Sequence, residues 1–577
     1  MNRRRLTVLV LLLGVAAAYF AFDLGRYLGL EQAKAVQADV AALYAKRPAA
    51  VIAAYFVIYV AVTAVSLPGA AVMTLAGGAI FGLAVGTLVV SFASSVGATL
   101  AMLAARYVLR DAVRARFGAR LAEVDRGVER DGAFYLFTLR LVPAFPFFVV
   151  NLLFGLTAMR ASTFYAVSQL GMLAGTLVYV NAGTQLARVD SVAGIVSPAL
   201  LASFALLGVF PLLARKGVDA VRARRVYARW RGRRPKAFDR NLVVIGAGAA
   251  GLVASYVAAA VKARVTLVEG HRMGGDCLNT GCVPSKALIA SARLLHRMRH
   301  GAELGIAQAH ATFDFADVMA RVQRVVREVE PHDSVERYTA LGVDVQIGHA
   351  TIVDPWHVRI TRADGSEALL STRASGVAAG ARPVGPPLPG IERVDVLTSD
   401  NVWQLRERPR RLVVLGGGAV GCELAQAFAR LGSAVTLVEV LPRLLAREDD
   451  DVGAFARERL EADGVEVLTG HRALRIDADG DARALVVDAA GAERRIAFDR
   501  LLCAVGRAAR LEGYGLQELG IATGRTVTTD ESLRTTYPNI YAAGDVAGPY
   551  QLTHVAAHQA WTAAVNALFG RFWRFRV

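Results

Sequence analysis

The sequence predicts a multi-domain chain in two unlike parts: an N-terminal all-α polytopic membrane domain, then an α/β fold built on two copies of one glycine-rich βαβ unit. Three observations carry this prediction. Long apolar runs are confined to the first 239 of the 577 residues. Basic charge gathers in the same stretch, with 27 Lys and Arg against 11 Asp and Glu up to Asp239 and 39 against 38 beyond it. Nearly all of the net charge of +17 therefore belongs to the first part. A 27-residue pattern then occurs twice in the second part, at 243–269 and 413–439. A chain of this length exceeds one ordinary hydrophobic core, in keeping with several domains.

The membrane domain is expected over 1–214. Residues 1–5 form a basic cap before an apolar stretch at 6–22. No small-x-small cleavage pattern separates that stretch from polar sequence, and more apolar segments follow, so it reads as an anchor helix rather than a signal peptide. Further spans are expected at 49–67, 83–105, 163–181 and 195–214. Two other apolar stretches are interrupted: 68–82 by Pro68, Gly69, Gly77, Gly78 and Gly82, and 134–159 by Arg140, Pro143, Pro146 and Gly155. Interruptions in corresponding places of two halves predict re-entrant or broken helices meeting near the bilayer midplane. Arg140 is the candidate membrane site. An ionisable group at that depth either grips an anion such as a phosphate or snorkels to the headgroups.

Residues 215–236 carry ten Lys and Arg against the single Asp219, directly after the last expected span. The positive-inside rule makes 215–239 a cytoplasmic linker and the protein a multi-pass component of the cell's inner membrane, with its second part in the cytoplasm. The natural partner for the charge is anionic membrane lipid, and no nucleic-acid-binding motif competes with that reading. The four cysteines, Cys277, Cys282, Cys422 and Cys503, all lie in the second part and form no secreted disulfide framework.

At 241–251 the sequence NLVVIGAGAAG supplies a strand, the turn glycines Gly246, Gly248 and Gly251, and the start of an Ala-rich helix; the next strand, VTLVE, ends at Glu269. The glycines let a pyrophosphate approach the backbone at a helix N-terminus, and the acid sits where it holds a ribose hydroxyl. One such loop is weak evidence. Its recurrence with identical spacing, as Gly416, Gly418, Gly421 and Glu439, implies two bound dinucleotides. Glu439 favours NADH, because a carboxylate repels a 2′-phosphate, while Arg443 nearby leaves NADPH open.

Between the two units lies GGDCLNTGCVPSKAL, with Cys277 and Cys282 five residues apart and Lys286 one helical turn on. Together with GAGAAG, GGGAVG and the YAAGD that ends at Asp545, this segment resembles the class I pyridine nucleotide-disulfide oxidoreductases, which include mercuric reductase and dihydrolipoamide dehydrogenase. The resemblance covers 240–570. It implies FAD in the first unit, NAD(P)H in the second, and Asp545 on the flavin's ribityl chain. The flavin domain is then expected at 240–390 and 511–577, with the nicotinamide domain at 391–510 inserted. It also implies Cys282 as the sulfur nearest the flavin, Cys277 as the thiolate that exchanges with substrate, and Lys286 by the flavin ring.

A second resemblance covers 45–214. The pairing of GAIFGLAVGTL with LRLVPAFPFF is similar to the VTT (SNARE-associated, DedA-like) membrane domain, which implies a role in lipid or lipid-phosphate translocation. The leading expectation is a membrane-tethered, FAD-dependent NAD(P)H:disulfide oxidoreductase with a disulfide, thiol or quinone acceptor. The alternatives are a lipid transporter or scramblase with a redox-regulatory flavoprotein half, and a mercuric reductase. The latter enzymes use an N-terminal GMTCxxC module and a C-terminal cysteine pair, neither of which is in this sequence. The family's C-terminal interface domain, which pairs two subunits and carries a His-x-x-x-x-Glu dyad, is expected to be missing after 577, which puts the family's homodimer in doubt. His554 and His558, four apart, lack a third ligand nearby and read as interface or core residues; no metal site is expected.

Overall fold

The computed structural model describes residues 39–577 except 65–68, 108–123, 125–127, 129–131, 142–145, 188–197, 481 and 571–574. The basic cap and the predicted anchor helix at 6–22 lie outside the described residues. The chain divides into two compact units, Met1–Arg222 and Ala223–Val577.

The first unit is helical: α1 (Pro48–Ala64), α2 (Ala70–Tyr107), α3 (Ala133–Leu141), α4 (Phe147–Leu156), α5 (Ala161–Ala187) and α6 (Pro198–Val226). Helix α1 is apolar on nearly all sides, the pattern of a helix that meets lipid or other apolar helices all round, whereas α5 carries polar side chains such as Ser168, Gln169 and Asn181 among its apolar ones. Among the described residues α2 and α5 are long and apolar enough to cross a membrane. A third crossing requires the pair Leu201–Leu207 and Val209–Val226, bent by 41°, to count as one span. The segment expected to span at 49–67 forms the 17-residue α1. That is shorter than the roughly 20 residues of an upright crossing.

Both predicted interruptions have a physical counterpart. Helix α2 is kinked at Gly82, whose φ of 71° and ψ of −174° suit a residue without Cβ. In the second stretch, α3 stops at Leu141 and α4 starts after Pro146, which caps it with φ −54°. Pro68 and Pro143 lie outside the described residues. The expected boundary at Ala214 is not a helix end. Helix α6 continues to Val226 through the first part of the basic run, where Ala, Val and Arg keep the helix going.

The rest of the predicted linker is not free chain either. Tyr227 stacks on Trp356 at 5.1 Å and donates to Asn539 Oδ1 at 2.6 Å. Trp230 Nε1 donates to the Tyr537 hydroxyl at 2.9 Å. Two aromatic rings thus pack against the core of the second unit, each with its polar tip satisfied.

That unit begins with β1 (Arg240–Ile245), α7 (Ala249–Ala260), β2 (Val265–Glu269), α8 (Gly275–Asn279), α9 (Cys282–Arg299) and α10 (Phe315–Val329). Strands β3 (Asp344–Ile347), β4 (His349–Asp354), β5 (His357–Thr361), β6 (Glu367–Val377) and β7 (Ala381–Pro383) follow. The second βαβ region holds β8 (Val396–Leu397), β9 (Arg411–Leu415), α11 (Ala419–Arg430), β10 (Ala434–Glu439), α12 (Asp450–Ala462) and β11 (Glu466–Thr469). Next come β12 (His471–Asp479), β13 (Ala482–Ala489), β14 (Ala492–Ala497), β15 (Arg500–Cys503), β16 (Arg507–Ala509), β17 (Ile540–Ala542) and α13 (Thr553–Phe569).

Two parallel sheets result. The first runs β3-β2-β1-β6, with β17 joining β6 in parallel and the antiparallel β5 and β4 extending from the other half of that long strand. The second runs β11-β10-β9-β15-β8. Strand β2 is buried throughout and β1 over its last four residues, which is why VTLVE and LVVI read as unbroken apolar runs covered on both faces. The two repeats pair in one register: Val243 faces Thr266 and Val413 faces Thr436. Between the sheets the chain leaves along β7 and returns along β16, which pair antiparallel.

Candidate functional site

Each glycine turn is a cradle closed by its own backbone. In the first, Gly246 has φ 100°, and a Cβ on Gly251 would stand 1.7 Å from the Gly246 carbonyl oxygen. In the second, Gly416 has φ 110° and a Cβ on Gly421 would stand 1.9 Å from the Gly416 oxygen. Gly248 and Gly418 cap α7 and α11 in extended conformation, so the backbone N–H groups that begin each helix have no partner within it. Space is open above them: a Cβ on Gly418 would meet nothing within 4 Å, and one on Gly248 only Gly275 Cα at 3.8 Å. Free N–H groups, a helix dipole and this clearance fit a dinucleotide diphosphate in both cradles.

The two acids repeat as well. Glu269 accepts from the N–H groups of Ala247 at 2.6 Å and His271 at 2.7 Å. Glu439 accepts from Gly417 at 2.6 Å and Leu441 at 2.8 Å. Both are held at the C-terminal ends of their strands, beside the turn, and each oxygen keeps a lone pair for a further donor. Arg443 is paired with Asp450 and donates to the Ala446 carbonyl at 3.1 Å, so its charge is partly engaged.

The cysteine segment lies directly on the first cradle. Gly274 N–H donates to the Ala247 carbonyl at 2.9 Å, and a Cβ on Gly275 would come within 2.5 Å of Gly248 Cα. Cys277 follows in α8, half-buried, and Cys282 is the first residue of α9, exposed; both are free thiols. The neighbouring Cys277 thiol does most to lower the Cys282 pKa below that of a free thiol. Thr553, the Lys286 charge and the residue's own N–H at the helix start act in the same direction. The same contact, with burial, pushes Cys277 far up. The two thiols therefore titrate as a pair, the first ionisation made easier by the contact between them.

Lys286 reaches the second βαβ region. Its Nζ donates to Glu423 at 2.6 and 2.9 Å, joining the dithiol helix α9 to α11, the helix that starts at the second cradle. Asp545 lies just past β17, beside the C-terminal ends of β1 and β6, with a carboxylate oxygen 3.8 Å from Arg507 Nε. Arg507 also pairs with Asp276 and donates to the Ala381 carbonyl at 3.0 Å, so one guanidinium ties the dithiol segment to β7 and to the Asp545 turn. Burial raises the pKa of Asp276 and of Asp545, and Arg507 opposes it in both.

The structure brings Gly246, Gly248, Gly251, Glu269, Cys277, Cys282, Lys286 and Asp545 to one end of the first sheet. Gly416, Gly418, Gly421 and Glu439 gather at the corresponding end of the second. Glu423, Arg507 and Thr553 were not foreseen. A lone Glu two residues past the third glycine, and an Arg after a buried strand, carried the only available signal. His554 and His558 are exposed on α13. Cys422 and Cys503 have thiol pKa values raised by burial to about 11, as core thiols do.

In the first unit Arg140 is buried on α3. It donates to Ser168 Oγ at 3.1 Å and Asn151 Oδ1 at 2.6 Å, with the rings of Phe147 and Phe164 each 5.1 Å away. No carboxylate pairs with it among the described residues. Asn151 Nδ2 and Gln169 Oε1 are buried without hydrogen-bond partners. Arg106, by contrast, caps the end of α4, donating to the carbonyls of Gly155, Thr157 and Met159 at 2.7–3.1 Å.

Comparison with known proteins agrees with both parts. The family model described as pyridine nucleotide-disulphide oxidoreductase matches residues 240–560, and that of the VTT domain matches 67–185. A mercuric reductase of Bacillus cereus is 31% identical over 335 residues, 58% of this chain and 52% of that protein, so this chain spans about half the length of that relative. A dihydrolipoyl dehydrogenase of Bacillus subtilis (strain 168) is 34% identical, covering 57% of this chain and 71% of the relative. Among solved structures, the Cu(II) complex of the HOCl-induced flavoprotein disulfide reductase RclA from Escherichia coli is 29% identical, with a TM-score of 0.51 over 58% of this chain and 72% of that one.

Proposed function

Because the chain belongs to the pyridine nucleotide-disulphide oxidoreductase family, whose members are FAD-dependent and use NAD(P)H, we propose that it is a membrane-tethered NAD(P)H:disulfide oxidoreductase working through Cys277 and Cys282. The observation that carries this reading is the dithiol segment laid on the first cradle, with Cys282 as the first residue of α9. FAD in the first cradle and NAD(P)H in the second supply the hydride chemistry when bound.

The chain's own residues do the rest. Gly246, Gly248 and Gly251 admit the flavin diphosphate, Glu269 takes a ribose hydroxyl and Asp545 the ribityl chain. Gly416, Gly418, Gly421 and Glu439 hold the nicotinamide dinucleotide. The Cys277 proton passes to Cys282, and the Cys277 thiolate attacks the acceptor disulfide, forming a mixed disulfide; the first released thiolate takes the proton from Cys282 and leaves as a thiol. The Cys282 thiolate then displaces the second thiolate and closes the Cys277–Cys282 disulfide, so the two electrons leave with the acceptor. Lys286, fixed by Glu423, keeps positive charge beside Cys282 throughout.

Glu439 supports NADH over NADPH, with Arg443 drawn toward Asp450. Steady-state kinetics on the detergent-purified chain with a small aromatic disulfide as acceptor should give kcat/KM at least about tenfold higher with NADH, the equivalent of about 1.4 kcal/mol of discrimination. Equal values, or a preference for NADPH, would remove Glu439 from the assignment. The basic run at 215–236 supports placing this unit on the cytoplasmic side of the cell membrane.

A second reading concerns the first unit and rests on Arg140. A buried guanidinium with no carboxylate on it among the described residues costs several kcal/mol, and a neighbouring orphan N–H donor on Asn151 adds to that, so this position favours an anionic group. This supports a lipid-phosphate role for the VTT domain. In reconstituted vesicles Arg140→Ala should cut translocation of a lipid phosphate about tenfold or more while leaving NADH-driven flavin reduction unchanged. Unaltered translocation would leave the unit as an anchor.

A further inference from the structure

A threonine hydroxyl meets the dithiol from the far end of the chain. Thr553 Oγ1 lies 3.4 Å from Cys282 Sγ across 271 residues of sequence, and the same hydroxyl also acts to lower the pKa of Cys277. Thr553 is the first residue of α13, entered through an extended Leu552 that provides no side-chain cap. Cys282 is likewise the first residue of α9. The starts of two helices, with their unpaired N–H groups, thus meet at one pair of sulfurs.

We propose that Thr553 is the donor that holds the negative charge on the dithiol, turning its single hydroxyl proton toward whichever sulfur is ionised. A threonine hydroxyl rotates freely but has one proton to give, so it serves one sulfur at a time. That suits a pair whose charge changes place as the mixed disulfide forms and resolves. Lys286 shares its charge with Glu423, and a neutral donor in direct contact supplies what the lysine shares out. The inference rests on reading Cys277 and Cys282 as the reactive pair and adds to it a positioning residue outside the cysteine segment.

The test reads sulfur acidity without turnover or acceptor. The full chain in detergent, with its thiols reduced, is alkylated by iodoacetamide across a pH series, and labelling of each cysteine is followed by peptide mapping. The native protein should label Cys282 with a midpoint below that of a free thiol. Thr553→Val should raise that midpoint by about one unit, and Thr553→Ser should restore it. Labelling of the buried Cys503 monitors folding, with Thr553→Ala as the second truncation should Val expose it. A Cys282 midpoint unmoved in both Val and Ala variants, or moved equally in Ser, would overturn the proposal. A native protein that labels neither Cys277 nor Cys282 below neutral pH would instead sink the reading of the dithiol itself.

Discussion

Serine at Cys277 or at Cys282 should abolish NADH-driven disulfide reduction, by about a thousandfold or more, while the protein keeps its flavin and still passes electrons to a redox dye. The reason lies in the pair. Thiol-disulfide exchange requires one sulfur to attack and the other to resolve, and a serine hydroxyl does neither near neutral pH. Neither side chain closes a cradle: the glycine turns are held by backbone contacts between Gly246 and Gly251 and between Gly274 and Ala247. The variants differ in a second respect. Cys277→Ser keeps a donor beside Cys282, so the remaining thiol should stay acidic, whereas Cys282→Ser replaces the ionisable sulfur that pushes Cys277 up by a neutral hydroxyl. The Cys277 left in that variant should titrate well below where it sits in the native pair, which alkylation against pH measures directly. Full disulfide turnover in both variants would end the dithiol mechanism.

The second large effect separates the two cofactors. Gly251→Val places a branched side chain where even a Cβ would stand 1.7 Å from the Gly246 oxygen and 2.8 Å from its carbonyl carbon, backbone atoms that leave no room to yield. The expected result is loss of bound flavin, read from the absorbance of the purified protein. Gly421→Val commits the same offence against Gly416, at 1.9 Å, in a different sheet. It should retain flavin and lose reduction by NADH, with dithionite still bleaching the bound flavin. If Gly421→Val lost flavin as well, or Gly251→Val kept it, the assignment of the cradles would be reversed or wrong.

Much of this was legible because the informative features are local. The repeated spacing from Gly246 to Glu269 and from Gly416 to Glu439 specifies a strand, a turn, a helix and a strand each time, and the pairing register of the two units agrees with it. The interruption at Gly82 was visible because one residue type decides it. What remained hidden depends on contacts between distant parts of the chain. Lys286 was noticed, but its partner Glu423 stands 137 residues away on a helix whose sequence shows only an ordinary solvent-facing acid. Thr553 was passed over beside two more conspicuous histidines. Arg507 follows a buried strand and meets Asp276 and Asp545, neither of them near it in sequence. The basic run read as a linker because charge dominates its composition. Tyr227 and Trp230 within it are two aromatic positions among many cations, and composition does not disclose that they reach Trp356 and Tyr537.

The most direct test of the central claim is an anaerobic titration of the detergent-purified full chain with NADH, recorded as a flavin spectrum. The dithiol mechanism predicts a long-wavelength band from a thiolate lying against the flavin, present in the native protein and absent in Cys282→Ser. A bound flavin that bleaches with no such band at any point of the titration would contradict it.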